Sequence, residues 1–332
     1  MAKKKLLGCS FPVVIVIAVV LIVLMLVTFA GGPIGSKLLK TFGVSFQLPD
    51  WMAIAKPAPE LAAEPLFHIG TFAVTNSLLT AWITIAILLI FAFFATRKIK
   101  LVPPRLQAAL EFIITALLDL CESIAGPKYG RQVFPIIATI FLFVFVNAWT
   151  SLIPGFGSIM VAVHEHGETI MVPLLRGANT DINIPLALAI VAFVTAWGFG
   201  IKAHGMKFFK QFVQMGKILL GIKQLFQGKF KSALGSLIFG VIDLFVGFLE
   251  LLSQFIRLVS FTFRLFGNMT AGEILLLSIS FLVPWVLSIA IYGLEMLVGF
   301  VQALAFSLLT LIFTSLAVAG HEEEGHEENA AH

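Results

Sequence analysis

The chain has 332 residues, of which 59% are hydrophobic and 12% charged, with a net charge of +4 and a mean hydropathy of +1.02. Soluble domains lie near roughly 45–50% apolar and 25% charged, so this composition excludes a soluble globular protein. With 33 phenylalanines and few segments alternating with period two, it favours membrane helices over a barrel, whose strands alternate around a polar lumen.

From the N-terminus, Lys3, Lys4 and Lys5 precede an apolar run from Val13 to Phe29, closed by Ala30-Gly31-Gly32-Pro33. Residues 1–30 therefore read as a signal sequence or an N-terminal anchor. Residues 31–75 are mixed, and Pro49, Pro57, Pro59 and Pro65 oppose a long helix, which makes this an extracytoplasmic arm. The membrane domain is expected over 76–319. Its first span, 76–95, is followed by Arg97, Lys98 and Lys100, so that end is cytoplasmic by the positive-inside rule.

Pro103 and Pro104 then open a helix in which Leu106, Leu110, Ile113, Ile114, Leu117 and Leu118 recur at helical spacing among Glu111, Asp119 and Glu122. That pattern predicts an interfacial amphipathic helix. A span over 133–153 ends at Pro154-Gly155, and a short outer loop carries His164-Glu165-His166 and Glu168, read as a solvated loop and not a metal site. The chain re-enters at Asp181, a candidate N-cap for a span over 182–201. Between Lys202 and Lys231 lie seven lysines and no acid, the composition of a cytoplasmic loop.

Two long apolar segments, 236–283 and 285–319, meet at Pro284 and predict a steeply tilted hairpin, because helices of this length outrun a hydrocarbon core of about 30 Å. Residues 320–332 form an acidic cytoplasmic tail whose His and Glu spacing fits no zinc motif. Of 22 Lys and Arg, 16 fall in the three segments assigned inside. Cys9 and Cys121 are too isolated for a disulfide framework or a metal site, and no cofactor is implied. In such a chain the positive charge reports topology, so nucleic acid is not implied either. The expected fold class is an all-α integral membrane protein: several transmembrane helices plus an interfacial amphipathic helix, ending in the tilted hairpin.

The chemistry concentrates on the first helix of that hairpin. Asp243, Glu250, Arg257 and Arg264 recur every seven residues, a step that slips the helical face by only about 20°. They form one polar stripe with Ser253, Gln254, Ser260 and Asn268 on or beside it. Alternating acid and base at this spacing is also what would lock the helix to a neighbour. Arg264 fits that bland reading less well, since the next acid, Glu273, lies nine residues on and on the opposite face. Placing a guanidinium in a membrane helix is costly, which makes it a functional candidate.

Folding at Pro284 matches Glu273 with Glu295, each 11 residues from the turn, and brings Arg264 level with Gln302. Two carboxyls close together in a low dielectric resist simultaneous ionisation, which suits a proton relay. Gly267, Ala271 and Gly272 permit close approach of another helix. No GxxxxGK[ST] phosphate loop is present.

The run Arg264-Leu265-Phe266-Gly267-Asn268-Met269 through Ala271-Gly272-Glu273 resembles the signature of subunit a of the F-type ATP synthase, the membrane stator that faces a rotor ring. Thr180-Asp181-Ile182-Asn183 resembles the start of that family's preceding span, and Gln302 lies where its last helix carries a glutamine. The resemblance covers about residues 70 to 319; the N-terminal run and the 207–231 segment stand apart. It implies that Arg264 is the stator arginine, that Asn268, Glu273 and Gln302 serve the half-channels or the rotor interface, and that Glu250 borders the cytoplasmic path. Glu295 occupies a site where the family carries His or Glu. Arg257, Ser260, Asp243, Asn183 and Asp181 stand behind these as supporting candidates. Where some relatives place an Asp before a Leu-Leu-Pro turn, this chain offers Thr150 or Ser151.

The implied partners are the c-subunit rotor ring, with an essential carboxylate opposite Arg264, the peripheral-stalk b subunits, other ATP synthase subunits and the lipid bilayer. The implied location is the bacterial cytoplasmic (inner) membrane, with the C-terminus in the cytoplasm. The rival reading is a secondary transporter binding an anionic substrate at Arg264. Such proteins tend to show repeated halves and broken midplane helices, and neither is visible in this sequence.

Overall fold

The computed structural model describes residues 5–6, 9–43, 62–97, 105–165, 168–212, 216–227, 230–283 and 286–319. Its helices are α1 (Phe11–Gly31), α2 (Pro33–Thr41), α3 (Asn76–Thr96), α4 (Arg105–Ser151), α5 (Asn183–His204), α6 (Gly216–Phe226), α7 (Phe230–Leu282) and α8 (Val286–Ala319). Five of the helical stretches are long and apolar enough to cross a membrane: Asn76–Thr96, Gln107–Ser151, Asn183–Phe209, Ser232–Leu282 and Leu287–Ala319. Each contains one of the five expected spans or most of it.

Hydroxyls inside these apolar helices bond to carbonyls one turn back, as Thr80 does to Asn76, Thr195 to Val191 and Thr310 to Phe306, at 3.1, 2.7 and 2.8 Å. Hydrocarbon offers no other partner to a polar atom, so this internal satisfaction is what lets Thr and Ser sit in a span.

α4 is two helices in sequence. Gly126 interrupts it with φ 74 and ψ 164, a backbone conformation open to glycine, and Pro127 follows. Before the break Gln107, Leu117 and Cys121 are buried while Glu111 and Asp119 are exposed, the amphipathic pattern expected of an interfacial helix. Beyond it Val133 and Ile137 pack with Cys121 and Leu311 in a core that Phe134 and Phe199 flank.

Three ribbons escape the helical reading of the sequence. Among the described residues Lys5–Leu6 pairs antiparallel with Cys9–Ser10, Pro65–Ile69 with Phe72–Thr75, and Met160–Glu165 with Glu168–Pro173. The segment around His164 and Glu168, expected as an irregular loop, is therefore a β-hairpin; its alternating Val161, Val163 and Ile170, Val172 supply the β-branched residues a ribbon favours. Asp181 is extended (φ −106, ψ 128) just ahead of α5, and the capping position itself, Ile182, makes no side-chain cap bond.

The lysine-rich connection, expected as a loop, is largely helical. Residues 205–211 form a 3₁₀ turn, and α6 doubles back along the start of α7. A Cβ at Gly221 would meet Leu237, and one at Gly240 would meet Ile218, so glycines permit the close approach of the two helices. The Pro284 turn and the acidic tail lie outside the described residues.

The chain divides into two compact units, each assembled from three separate stretches. One comprises Met1–Ala81, Asn147–Asp181 and Gly267–Val301; the other comprises Trp82–Val146, Ile182–Phe266 and Gln302–His332. In the first, Ser280 and Ser288 hydrogen-bond at 3.0 Å across the antiparallel pair α7 and α8. In the second, the same pair is joined by the rings of Phe261 and Phe306, 5.2 Å apart.

Candidate functional site

The polar stripe of α7 resolves into residues with different environments. Asp243 accepts an ion pair from Lys217 of α6 at 2.8 Å, so this acid locks α6 to α7. Glu250 accepts a hydrogen bond from the Gln254 amide at 3.1 Å, one turn on. The Arg257 guanidinium lies 4.9 Å from the centre of the Phe313 ring, a cation–π contact that holds α7 against α8.

Arg264 differs from all of these. Phe261 and Leu265 are buried, at 5% and 0% exposure, and fix which face of α7 packs inward. Arg264 and Ser260 are exposed beside that face, along an open groove whose apolar walls include Leu252, Ile256, Phe261, Leu309 and Phe313. Among the described residues Arg264 has no ion-pair or hydrogen-bond partner. A position deep in an apolar helix is thus not a position inside the protein. α7 buries the aromatic and leucine face and leaves the guanidinium outside. Gln302, expected level with it, is 4% exposed and turned into the core.

A second constellation lies in the first unit. Arg176, only 8% exposed, directs its Nε at Glu273 Oε2 over 3.4 Å and donates from Nη1 to the Ala62 carbonyl at 2.8 Å. Glu273 and Glu295 line one cavity of about 100 Å³ together with Arg176, Asn147, Asn179 and Ser151. A water occupies about 30 Å³ in the liquid, so the space suits a short water file. Gly272 faces the Glu295 carboxyl so closely that a Cβ there would run into it. The matched depth of Glu273 and Glu295 read from the sequence is thus reproduced as a shared cavity. Asn179 is 1% exposed and its side-chain amide atoms have no hydrogen-bond partner among the described residues, which makes the wall polar and hydratable.

The entry to α5 is also polar. Ser77 donates to Asp181 Oδ2 at 2.8 Å, and Asn76 donates to Glu64 and to the Pro173 carbonyl at 3.0 and 3.2 Å. Asn183 and Asn268 are both exposed.

Arg176, Asn147 and Asn179 were missed by sequence reasoning. Arg176 counts in the topology tally as one more outer-loop cation. The available signal is that it is the single Lys or Arg between Arg131 and Lys202. Thr150 and Ser151, considered in place of an acid, bond back to the Asn147 and Ala148 carbonyls at 3.0 and 2.8 Å, and Ser151 reaches the cavity wall. No cluster of three or more His, Cys, Asp or Glu with metal-binding geometry occurs among the described residues.

A multi-span all-α membrane protein that keeps one guanidinium on an apolar surface and groups carboxyls, an arginine and amides round a small polar cavity is built to handle charge within a bilayer. A profile of the family described as ATP synthase A chain matches residues 78–315. ATP synthase subunit a of Geotalea daltonii is 32% identical over 245 residues, covering 74% of this chain and 86% of that protein. That of Geotalea uraniireducens is 32% identical over 263 residues, covering 79% and 93%. ATP synthase subunit a 3 of Pelobacter propionicus is 33% identical over 245 residues, covering 74% and 86%. The chain belongs to the ATP synthase A chain family. It is a non-catalytic subunit of the proton-translocating membrane sector, with the ATP chemistry carried by other subunits.

Proposed function

We propose that this chain forms two offset aqueous half-channels and uses Arg264 to couple proton flow to rotation of a ring of c subunits. The observation that carries the reading is the exposed, unpartnered guanidinium of Arg264 on an apolar groove. A cation held there at a cost of a few kcal/mol needs an anion, and this chain offers none among its described residues. A carboxylate on a neighbouring moving subunit meets that need. Ionised, it is attracted to Arg264; neutralised by a proton, it passes into lipid. Arg264 also repels protons and so keeps the two half-channels from short-circuiting.

The cavity with Glu273, Glu295, Asn147, Asn179 and Ser151 supports one half-channel, with Asn268 and Gln302 on the way to the rotor. Glu250, with Gln254 and Ser253, supports the other, on the cytoplasmic side. Moving one charge through the membrane potential supplies about 2.3 kcal/mol per 100 mV, so several protons are needed for each ATP. The same reading places the chain in the bacterial inner membrane with its C-terminus inside, held by peripheral-stalk b subunits.

Purified complex reconstituted in vesicles tests this. Arg264→Ala is expected to abolish proton-driven ATP synthesis while the complex still assembles. Synthesis at the native rate by that variant overturns the reading.

A further inference from the structure

The α6–α7 hairpin carries a surface that proton transfer does not use. On the side of α6 away from α7, Leu219, Ile222 and Phe226 follow one another at helical spacing and are 62%, 45% and 87% exposed. At the start of α7, Phe230 and Leu234 are exposed as well, at 69% and 62%. Lys223 lies on this same face, between Leu219 one turn back and Phe226 one turn on, and is itself exposed. From residue 203 to 242 the chain contains no acidic residue, and the lysine that is paired in this region, Lys217, uses Asp243, the first acid beyond it.

Two physical demands then meet. An exposed apolar helix face is unfavourable in water, and a lysine in its middle is unfavourable in hydrocarbon. Both are satisfied at one depth: the boundary between acyl chains and headgroups, where the apolar side chains enter the lipid and the lysine stem reaches out to phosphate. The segment leading into α6 is fixed for the same purpose. Phe208 and Phe212 are buried, at 3% and 6% exposure, and Phe212 stacks on Trp197 of α5 at 5.3 Å, while Lys207 beside them is exposed.

We propose that the α6–α7 hairpin is a docking surface for anionic phospholipid, with Leu219, Ile222 and Phe226 in the acyl boundary and Lys223 and Lys207 on the headgroup phosphates. The acidic segment 320–332 is the competing occupant, since the last turn of α8 is tied to the end of α5 by a 2.7 Å contact between His204 Nε2 and the Val318 carbonyl. The sequence of 320–332, Gly-His-Glu-Glu-Glu-Gly-His-Glu-Glu-Asn-Ala-Ala-His, has no large apolar side chain to cover Leu219 and Phe226, which favours lipid.

The test uses the intact complex with a fluorophore at Phe226→Cys in a Cys9→Ser background, reconstituted with brominated phosphatidylglycerol or brominated phosphatidylcholine. Phosphatidylglycerol is expected to quench at a mole fraction about 25-fold lower than phosphatidylcholine, about fivefold for each of the two lysines. That preference should fall about fivefold for each of Lys207→Gln and Lys223→Gln, the equivalent of about 1 kcal/mol per lysine at an anionic surface, and survive in the Lys→Arg variants. Equal quenching by the two lipids in the native chain overturns the proposal. So does a preference that emerges only after residues 320–332 are deleted, which identifies the acidic segment as the occupant. Proton-driven ATP synthesis, measured in parallel, is expected to be retained in the Lys→Gln variants, so failure here and failure of the Arg264 reading are separable.

Discussion

Arg176 and Glu273 offer the sharpest test of the cavity, because they lie 97 residues apart in sequence and meet only in the fold. Replacing Arg176 by Gln removes the charge facing Glu273 and the donor to the Ala62 carbonyl. An exposed ion pair contributes about 0–1 kcal/mol, whereas stripping one partner from a buried pair costs about 3–5. Here one side chain is 8% exposed and the other 33%, and the contact is a long 3.4 Å, so an intermediate coupling of about 1.4 kcal/mol is expected. That is tenfold in a rate or an equilibrium.

The assay is passive proton flux through the membrane sector in vesicles, normalised to assembled complex. Arg176→Gln is expected to slow flux about tenfold in the native background and to change it little when Glu273 is already Gln. If the two substitutions multiply independently, the pair does not act as a unit and Arg176 has no part in the path.

Glu295→Gln keeps the size of the cavity wall but not its exchangeable charge, so proton flux should drop while the amount of assembled complex, read from native gels, holds; unchanged flux assigns the carboxyl a packing role. Gly272→Ala drives a methyl into the Glu295 carboxyl, an overpacking that costs about 1–3 kcal/mol, and should reduce assembled complex. Shortening the acid with Glu295→Asp in the same chain should restore part of it, and no restoration refutes the steric account. Asp243→Asn breaks a pair whose members are 20% and 56% exposed, worth about 1 kcal/mol or less. Flux should be unaffected while Lys217 becomes more reactive to amine acylation; a collapse of flux would place Asp243 in the ion path.

The spans were legible because twenty or more apolar residues in series leave little choice but a helix across the bilayer. Pairing Glu273 with Glu295 was also within reach, since a hairpin converts equal distances from a turn into equal depth. What sequence could not supply was direction round the helix relative to the protein. Arg264 and Leu265 are neighbours in an apolar run, yet one is exposed and the other fully buried, and only the packing of Phe261 on Phe306 decides which. Arg176 was hidden for a similar reason: a cation in a polar connecting segment reads as solvated until the fold closes Glu273 and Ala62 over it. The lysine-rich connection misled by composition, because Gly221 and Gly240, unremarkable in sequence, permit the helix packing that makes it a hairpin.

The division of each compact unit into three separated stretches has a consequence for how the protein comes into being. The contacts that close the first unit span long intervals: Asn76 to Pro173, Arg176 to Glu273, and Trp149 to the Met296 carbonyl. Two of these three contacts end in residues 267–301, and the second unit likewise includes residues from Gln302 on. Spans emerging in order from the ribosome therefore remain without their final neighbours until the last helix has entered the membrane. During that interval the buried arginine, the asparagines and the carboxyls have no closed cavity to share. Insertion of α8 is thus the step that commits the chain, and a lesion in that helix should mark the whole subunit for degradation however well the earlier spans were made.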